Sequence, residues 1–220
     1  MGFVEDFFST LQSYNEIVVP VAAFTFVLGM VAVFLASSKP KHSGQIISFI
    51  LSLLWMWSGV VFFLLFYGPQ EVVFLNLTMP GVWYLSGVLW IIQSLVFLFV
   101  GVFKASLSFK LGSDRQSAVG AVMIVYAMII YPLIGLLTGR TYPEYPIFGV
   151  APCPVTIFTF GMLQWTDRKI PLFVAIIPLV WAFLGVMPVL ALDVWADVGL
   201  ILSGIIGFTL ILVRNRKLGS

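Results

Sequence analysis

Histidine, cysteine and charge are nearly missing from this chain: of 220 residues one is histidine, one is cysteine, and 9% are charged. Each scarcity removes a class of protein. A single cysteine, Cys153, forbids an internal disulfide. A single histidine, His42, stands beside Lys41 in a polar stretch. That leaves no pair of histidines for a membrane haem, no histidine-based zinc site and no Ser-His triad within the apolar segments. No lysine falls inside an apolar run, so a retinal-type Schiff base has no attachment point. The composition calls for no cofactor. No cleavable leader is expected: Glu5 and Asp6 precede the first apolar run, where a signal peptide carries positive charge. Met1-Gly2 lacks the Ser or Thr at position 6 of a myristoylation signal.

What the chain does have is hydrocarbon. It is 61% hydrophobic, whereas a soluble domain carries about 25% charged residues to cover its surface. Lipid must be the solvent for most of it. A bilayer-spanning helix needs roughly 20 mostly apolar residues, and seven stretches qualify: about 17–38, 44–67, 82–103, 117–138, 146–165, 170–191 and 196–213. Runs such as Ile46 to Tyr67 are too long and too uniformly apolar for β-barrel strands. Backbone groups in hydrocarbon must pair internally, so the spans are helices. The expected fold is an all-α, seven-transmembrane-helix bundle forming one domain over residues 1–220.

Charge sets its orientation. Ten of the eleven basic residues follow spans 1, 3, 5 and 7: Lys39, Lys41, Lys104, Lys110, Arg115, Arg168, Lys169, Arg214, Arg216 and Lys217. Arg140 alone falls on the other side, with Glu5, Asp6, Glu16, Glu71, Glu144, Asp193 and Asp197. Ten bases against two acids give one face about +8, and one base against seven acids gives the other about −6. The positive-inside rule then puts the N-terminus outside and the C-terminus in the cytoplasm. The basic face is an insertion signal and not a nucleic-acid site.

Three segments depart from plain spans. Phe3, Phe7 and Leu11 share a helical stripe, so residues 1–16 read as a short interfacial helix or a frayed terminus. Residues 68–81 are bounded by Gly68-Pro69 and Pro80-Gly81 around an apolar middle, which fits a simple loop or a re-entrant one. Residues 139–156 hold four prolines and two glycines. Proline removes a donor and clashes with the preceding turn, so Pro152-Cys153-Pro154 is expected to break the fifth helix in its outer third. Carbonyls freed there need protein, water or a ligand.

The candidate chemistry gathers at that point. Cys153 beside freed carbonyls is a candidate ligand for a soft metal ion, with Met128, Met162 or Met187 as further ligands; the competing reading is a buried, inert thiol at a structural kink. Glu16, Arg140, Glu144 and Thr156 are the other candidate substrate or ion-binding residues. Ionisable groups at a membrane boundary are functional candidates, though acids also populate outer loops because bases are kept out. Arg140 with Glu144 four positions on suggests a local ion pair. Gly199, Ser203 and Gly207 form a small-residue ladder suited to close helix packing.

The runs Ser13-Tyr14-Asn15-Glu16-Ile17-Val18-Val19-Pro20 and Gly139 to Gly161, including Thr156-Ile157-Phe158-Thr159-Phe160-Gly161, resemble a family of uncharacterised bacterial polytopic inner-membrane proteins, a domain of unknown function. The resemblance implies the bacterial inner membrane and carries no activity. The leading functional reading is a transporter or channel for a small solute or cation, with the lipid bilayer as its partner. The alternatives are a membrane-embedded sensor, an accessory subunit that associates with itself or a membrane partner, and a cofactor-free membrane enzyme.

Overall fold

The computed structural model describes residues 3–74 and 77–218. Among them are seven helices: α1 (Phe3–Ser38), α2 (Ser43–Tyr67), α3 (Val82–Phe103), α4 (Arg115–Leu137), α5 (Pro152–Gln164), α6 (Phe173–Leu192) and α7 (Asp197–Lys217). All except α5 are long and apolar enough to cross a membrane. Phe24, Phe34, Leu65, Val122 and Leu190 are each more than half exposed on their outer faces. A surface of that kind is stable against hydrocarbon and not against water. The chain is built as a multi-pass membrane protein.

The segment between α2 and α3 is neither a bare loop nor a helical dip. Val72–Phe74 (β1) pairs antiparallel with Leu77–Met79 (β2), Val72 opposite Met79. Residues 75 and 76, at its tip, lie outside the described residues, as do Met1 and Gly2. Two short, mostly apolar runs bounded by Gly-Pro and Pro-Gly satisfy their backbone by pairing with each other.

Residues 1–16 do not form a separate interfacial helix. From Phe3 the helix α1 continues without interruption to Ser38. Its 36 residues make it about 54 Å long, well beyond a hydrocarbon core of about 30 Å. Pro20 costs it one backbone bond, to the carbonyl of Glu16. The apolar stripe is real, but its partner is protein: Leu11, Tyr14 and Asn15 are fully buried, Phe7 packs on Tyr67 and Trp83, and Tyr67 Oη donates to the Phe7 carbonyl at 3.1 Å.

The fifth segment departs most from expectation. The helix starts at Pro152, not near 146, and its 13 residues are all buried. At about 20 Å it is too short to cross hydrocarbon alone. Pro152 sits in the first turn, where no helical bond awaits its missing N–H and its fixed φ suits the helix. Pro-Cys-Pro therefore opens a helix instead of breaking one. The preceding stretch, 138–151, is not helical, and α1 satisfies three of its carbonyls. Asn15 Nδ2 donates to Pro143 O at 2.6 Å and Tyr145 O at 2.9 Å, and Tyr14 Oη donates to Val150 O at 2.7 Å.

Around α5 the other helices close in. Its main neighbours are α4 and α7, with α2 and α6 also in contact. Gly120 and Gly161 let α4 and α5 meet backbone to backbone: a Cβ on Gly120 would lie 2.7 Å from the Gly161 carbonyl oxygen, and one on Gly161 would lie 2.9 Å from that of Gly120. The last carbonyls of α5 are taken by Arg214, whose guanidinium donates to Leu163 O at 2.8 Å, Thr166 O at 2.9 Å and Gln164 O at 3.0 Å. The Gly199–Ser203–Gly207 ladder is used inside the bundle. Ser203 is buried, and Gly199 and Gly207 accommodate the rings of Tyr126 and Phe160.

The two ends of the bundle differ in charge. At one end Lys39 pairs with Asp167, the Lys110 N–H donates to Trp165 O at 2.5 Å, and Arg214 caps α5. Burial pushes the Asp167 carboxyl up, but hydrogen bonds from Lys39 and Ser108 and the Lys39 charge outweigh it and leave it below its ordinary value. At the other end lie Glu16, Arg140, Glu144 and Asp193, gathered by the contacts of α1 with segment 138–151 and of Arg140 with Leu192.

Candidate functional site

At the acidic end, α1, α2, α3, α4, the start of α5, α6 and the start of α7 enclose a partly open cavity of about 110 Å³. Its walls are aromatic and aliphatic: Phe7, Leu11, Phe62, Phe63, Trp83, Trp181 and the α6 residues from Leu184 to Leu192. Four of its lining residues carry polar groups that matter to its chemistry: Asp197, Tyr131, Cys153 and Ser86.

Asp197 is the centre. It is the first residue of α7 and 1% exposed. Tyr131 Oη donates to its Oδ1 at 2.5 Å, and Cys153 Sγ faces its Oδ2 at 3.5 Å. Both donors are neutral, and no Lys, Arg or His is among the described lining residues. The N-terminal turn of its own helix favours negative charge there. Each partner is placed by a local backbone device. Tyr131 follows a π-helical stretch, Tyr126–Ile130, and precedes Pro132; such wide turns absorb a proline and re-aim side chains. Cys153 follows Pro152 in the first turn of α5. Asp197 follows the left-handed residue Asp193, which ends α6.

Two residues of the cavity wall carry buried polar groups without partners. The indole nitrogens of Trp83 and Trp181 are both buried and unpaired. The Trp181 N–H stands close enough to influence the Cys153 thiol, yet its geometry falls short of a hydrogen bond. Beneath the cavity, Phe63 and Trp181 touch Trp90, at ring separations of 5.7 and 5.5 Å. In the same layer and below, Trp90 Nε1, Gln93 Oε1 and Ser58 Oγ are buried without partners. Gln93 spends its amide N–H on Val174 O at 2.9 Å.

Of the candidate binding residues Cys153, Glu16, Arg140, Glu144 and Thr156, Cys153 alone is among the residues lining this cavity. Glu16 is exposed on α1, where Gln12 Nε2 donates to it at 3.2 Å. Arg140 makes no contact ion pair with Glu144. Its guanidinium lies 3.4 Å from the centre of the Phe8 ring and donates to Leu192 O at 3.0 Å. Burial lowers its pKa, and Glu144 and Asp193 act from farther off to oppose this. Arg140 and Asp193 line a smaller neighbouring cleft that shares Tyr131 and Val194 with the main cavity. Thr156 points back along its own helix, donating to Pro152 O at 3.1 Å. Among the possible soft ligands, Met187 lines the cavity, while Met162 is buried in α5 and Met128 packs toward Gly29. Among the described residues no group of three or more His, Cys, Asp or Glu could hold a metal ion.

Asp197 counted in the sequence as one of several loop acids. The signal that distinguishes it is its place directly before Val198-Gly199-Leu200-Ile201-Leu202, which draws it to the depth of the helix start. Nothing in the sequence pairs it with Tyr131, 66 residues away.

No curated protein and no solved structure matches the chain. Over residues 4–220 it matches the model of the Family of unknown function (DUF6064), and it belongs to that family.

Proposed function

We propose that this protein moves a small solute across a bacterial inner membrane, taking it up at the Asp197 cavity. In this reading the chain crosses seven times, the fifth crossing being made by the non-helical segment 138–151 together with α5. The acidic end faces outward and the basic end faces the cytoplasm, following the positive-inside rule. A short helix continued by irregular backbone is tolerated at membrane depth only when protein surrounds it or a cavity adjoins it, and α5 meets both conditions.

The observation that carries the proposal is the Asp197 carboxyl, buried in an apolar cavity and held only by neutral donors. Desolvating a carboxylate costs several kcal/mol. A packing role would be filled by an apolar residue at no such cost, so the group is there to meet something that enters. The unpaired groups of Trp90, Gln93 and Ser58 extend polar character toward the bundle centre. Each such group costs about 1–3 kcal/mol unless water or solute meets it. The competing accessory-subunit reading loses its main support, because the small-residue ladder of α7 packs inside the bundle.

The test is modification of Cys153, the one thiol in the chain, by membrane-impermeant reagents in right-side-out and inverted vesicles. Transport requires the site to be reachable from each side in turn, so both preparations react. Reaction from one side only overturns transport and leaves a one-sided sensor.

A further inference from the structure

We propose that the cavity binds a small organic ammonium ion bearing an oxygen acceptor, and that Asp197 gives up a proton when the cation arrives. The inference rests on the transport cavity proposed above and names the class of its occupant. Charge is the first argument. The cavity holds one acid and, among the described residues, no base, so a cation finds a counter-ion there and an anion finds none. The walls are the second. Rings of Phe7, Phe63, Trp83 and Trp181 surround the space, and aromatic faces attract ammonium groups, more so when desolvated. A hard, hydrated metal ion would instead need several oxygen ligands.

The indole nitrogens supply the third argument. Trp83 and Trp181 each present a buried N–H with no acceptor. An oxygen on the ligand, as in an amino alcohol, would satisfy them. Size is the fourth. A cavity of about 110 Å³ is of the order of the roughly 150 Å³ that holds a benzene ring, so the occupant has about half a dozen non-hydrogen atoms.

The proton follows from charge balance. Without a ligand no counter-ion faces the carboxyl, whose partners are the neutral Tyr131 and Cys153. The titratable groups on the elements packed around it are Tyr126 and Tyr131 on α4, Cys153 on α5 and Asp193 at the end of α6. Arg140, in the neighbouring cleft, is occupied by Phe8 and Leu192. None places a cation against Asp197. When the ammonium enters, the carboxyl O–H bond breaks, its proton leaves to water, and the carboxylate pairs with the cation. The site's net charge is unchanged.

The experiment is calorimetric titration of the purified full-length protein in nanodiscs with choline, tetramethylammonium, ethanolamine and 3,3-dimethylbutan-1-ol, the uncharged carbon analogue of choline. At least one ammonium compound is expected to bind, with the alcohol at least tenfold weaker than choline. Near one proton per cation should appear in weakly buffered solution, and Asp197→Asn should weaken cation binding at least tenfold. Should Asp197→Asn fail to fold, the decision passes to Trp83→Phe and Trp181→Phe, which keep the ring and remove the N–H. These should weaken choline binding several-fold and leave tetramethylammonium unchanged. Equal binding of the alcohol, binding of no ammonium compound, absence of proton release, or an equal effect of the Trp variants on both cations would overturn the inference. None of these results bears on the vesicle-sidedness test, so the ligand class and the transport reading fail separately.

Discussion

Replacing Asn15 with leucine tests whether α1 organises the irregular segment ahead of α5. Asn15 is fully buried, and its amide donates to Pro143 O and Tyr145 O at 2.6 and 2.9 Å. Leucine keeps the branched skeleton with bulkier ends, so the change removes the two hydrogen bonds together with the unpaired Oδ1. Each bond contributes about 1 kcal/mol net, and each carbonyl left buried without a partner costs about 1–3 kcal/mol. The expected loss is therefore about 2–4 kcal/mol, lessened where water reaches the carbonyls. It should be local. Hydrogen exchange in residues 138–151 should accelerate by one to two orders of magnitude, while α2 and α3 keep their protection. The melting temperature in detergent should fall by several degrees. Asn15→Asp should be at least as damaging, since a carboxylate would face two carbonyl oxygens. Unchanged exchange in 138–151 with Asn15→Leu would show that the segment holds itself, and the role assigned to α1 would be wrong.

Other consequences follow from the same contacts. Arg214→Met leaves the carbonyls of Leu163, Gln164 and Thr166, at and just beyond the end of α5, without their guanidinium and should cost about 3–5 kcal/mol, seen as a lower denaturation midpoint; Arg214→Lys should recover part of it. Gly161→Leu forces a side chain into the α4–α5 contact and should cost at least about 1–3 kcal/mol, measured the same way. Asp114 caps α4 by accepting from the Ser117 N–H at 2.8 Å, and Asp114→Ala should cost about 1 kcal/mol. Hydrogen bonds from Ser117 hold the Asp114 carboxyl below its ordinary value. Its contribution is thus present above the unfolded value near pH 4 and lost as pH falls through the lower folded one. A melting profile of Asp114→Ala against wild type should converge below that point.

Much of the scaffold was legible because hydrocarbon imposes simple rules. Length and apolarity locate five of the helices near their observed bounds and the end, but not the start, of α1, and charge separates the two ends as found. The fifth span misled for a physical reason. Ile147 to Gln164 is apolar because it is buried in protein, and hydropathy does not distinguish that from lipid. Proline breaks a helix interior but starts a helix from its first turn, and the pattern alone does not say which place Pro152 takes. The stripe of Phe7 and Leu11 is plain in the sequence, but whether it meets a membrane or Tyr67 is a tertiary fact. Cys153 was legible as a candidate because it is the lone thiol beside two prolines. Asp197 and Tyr131 were not, since their meeting depends on how α4 and α7 converge. Acids that are equivalent in sequence differ through burial: Glu16 is exposed and Asp197 is buried in the cavity wall.

The account stands most directly on the cavity that holds Cys153 and Asp197 being open to water at the acidic end. The decisive measurement is the rate at which a permanently charged trimethylammonium thiosulfonate modifies Cys153 in intact, right-side-out vesicles, compared with its sulfonate counterpart. The account predicts measurable modification, faster by the cationic reagent, with the preference abolished in Asp197→Asn. A thiol that stays unmodified by both in the folded protein and reacts fully once denatured would contradict it.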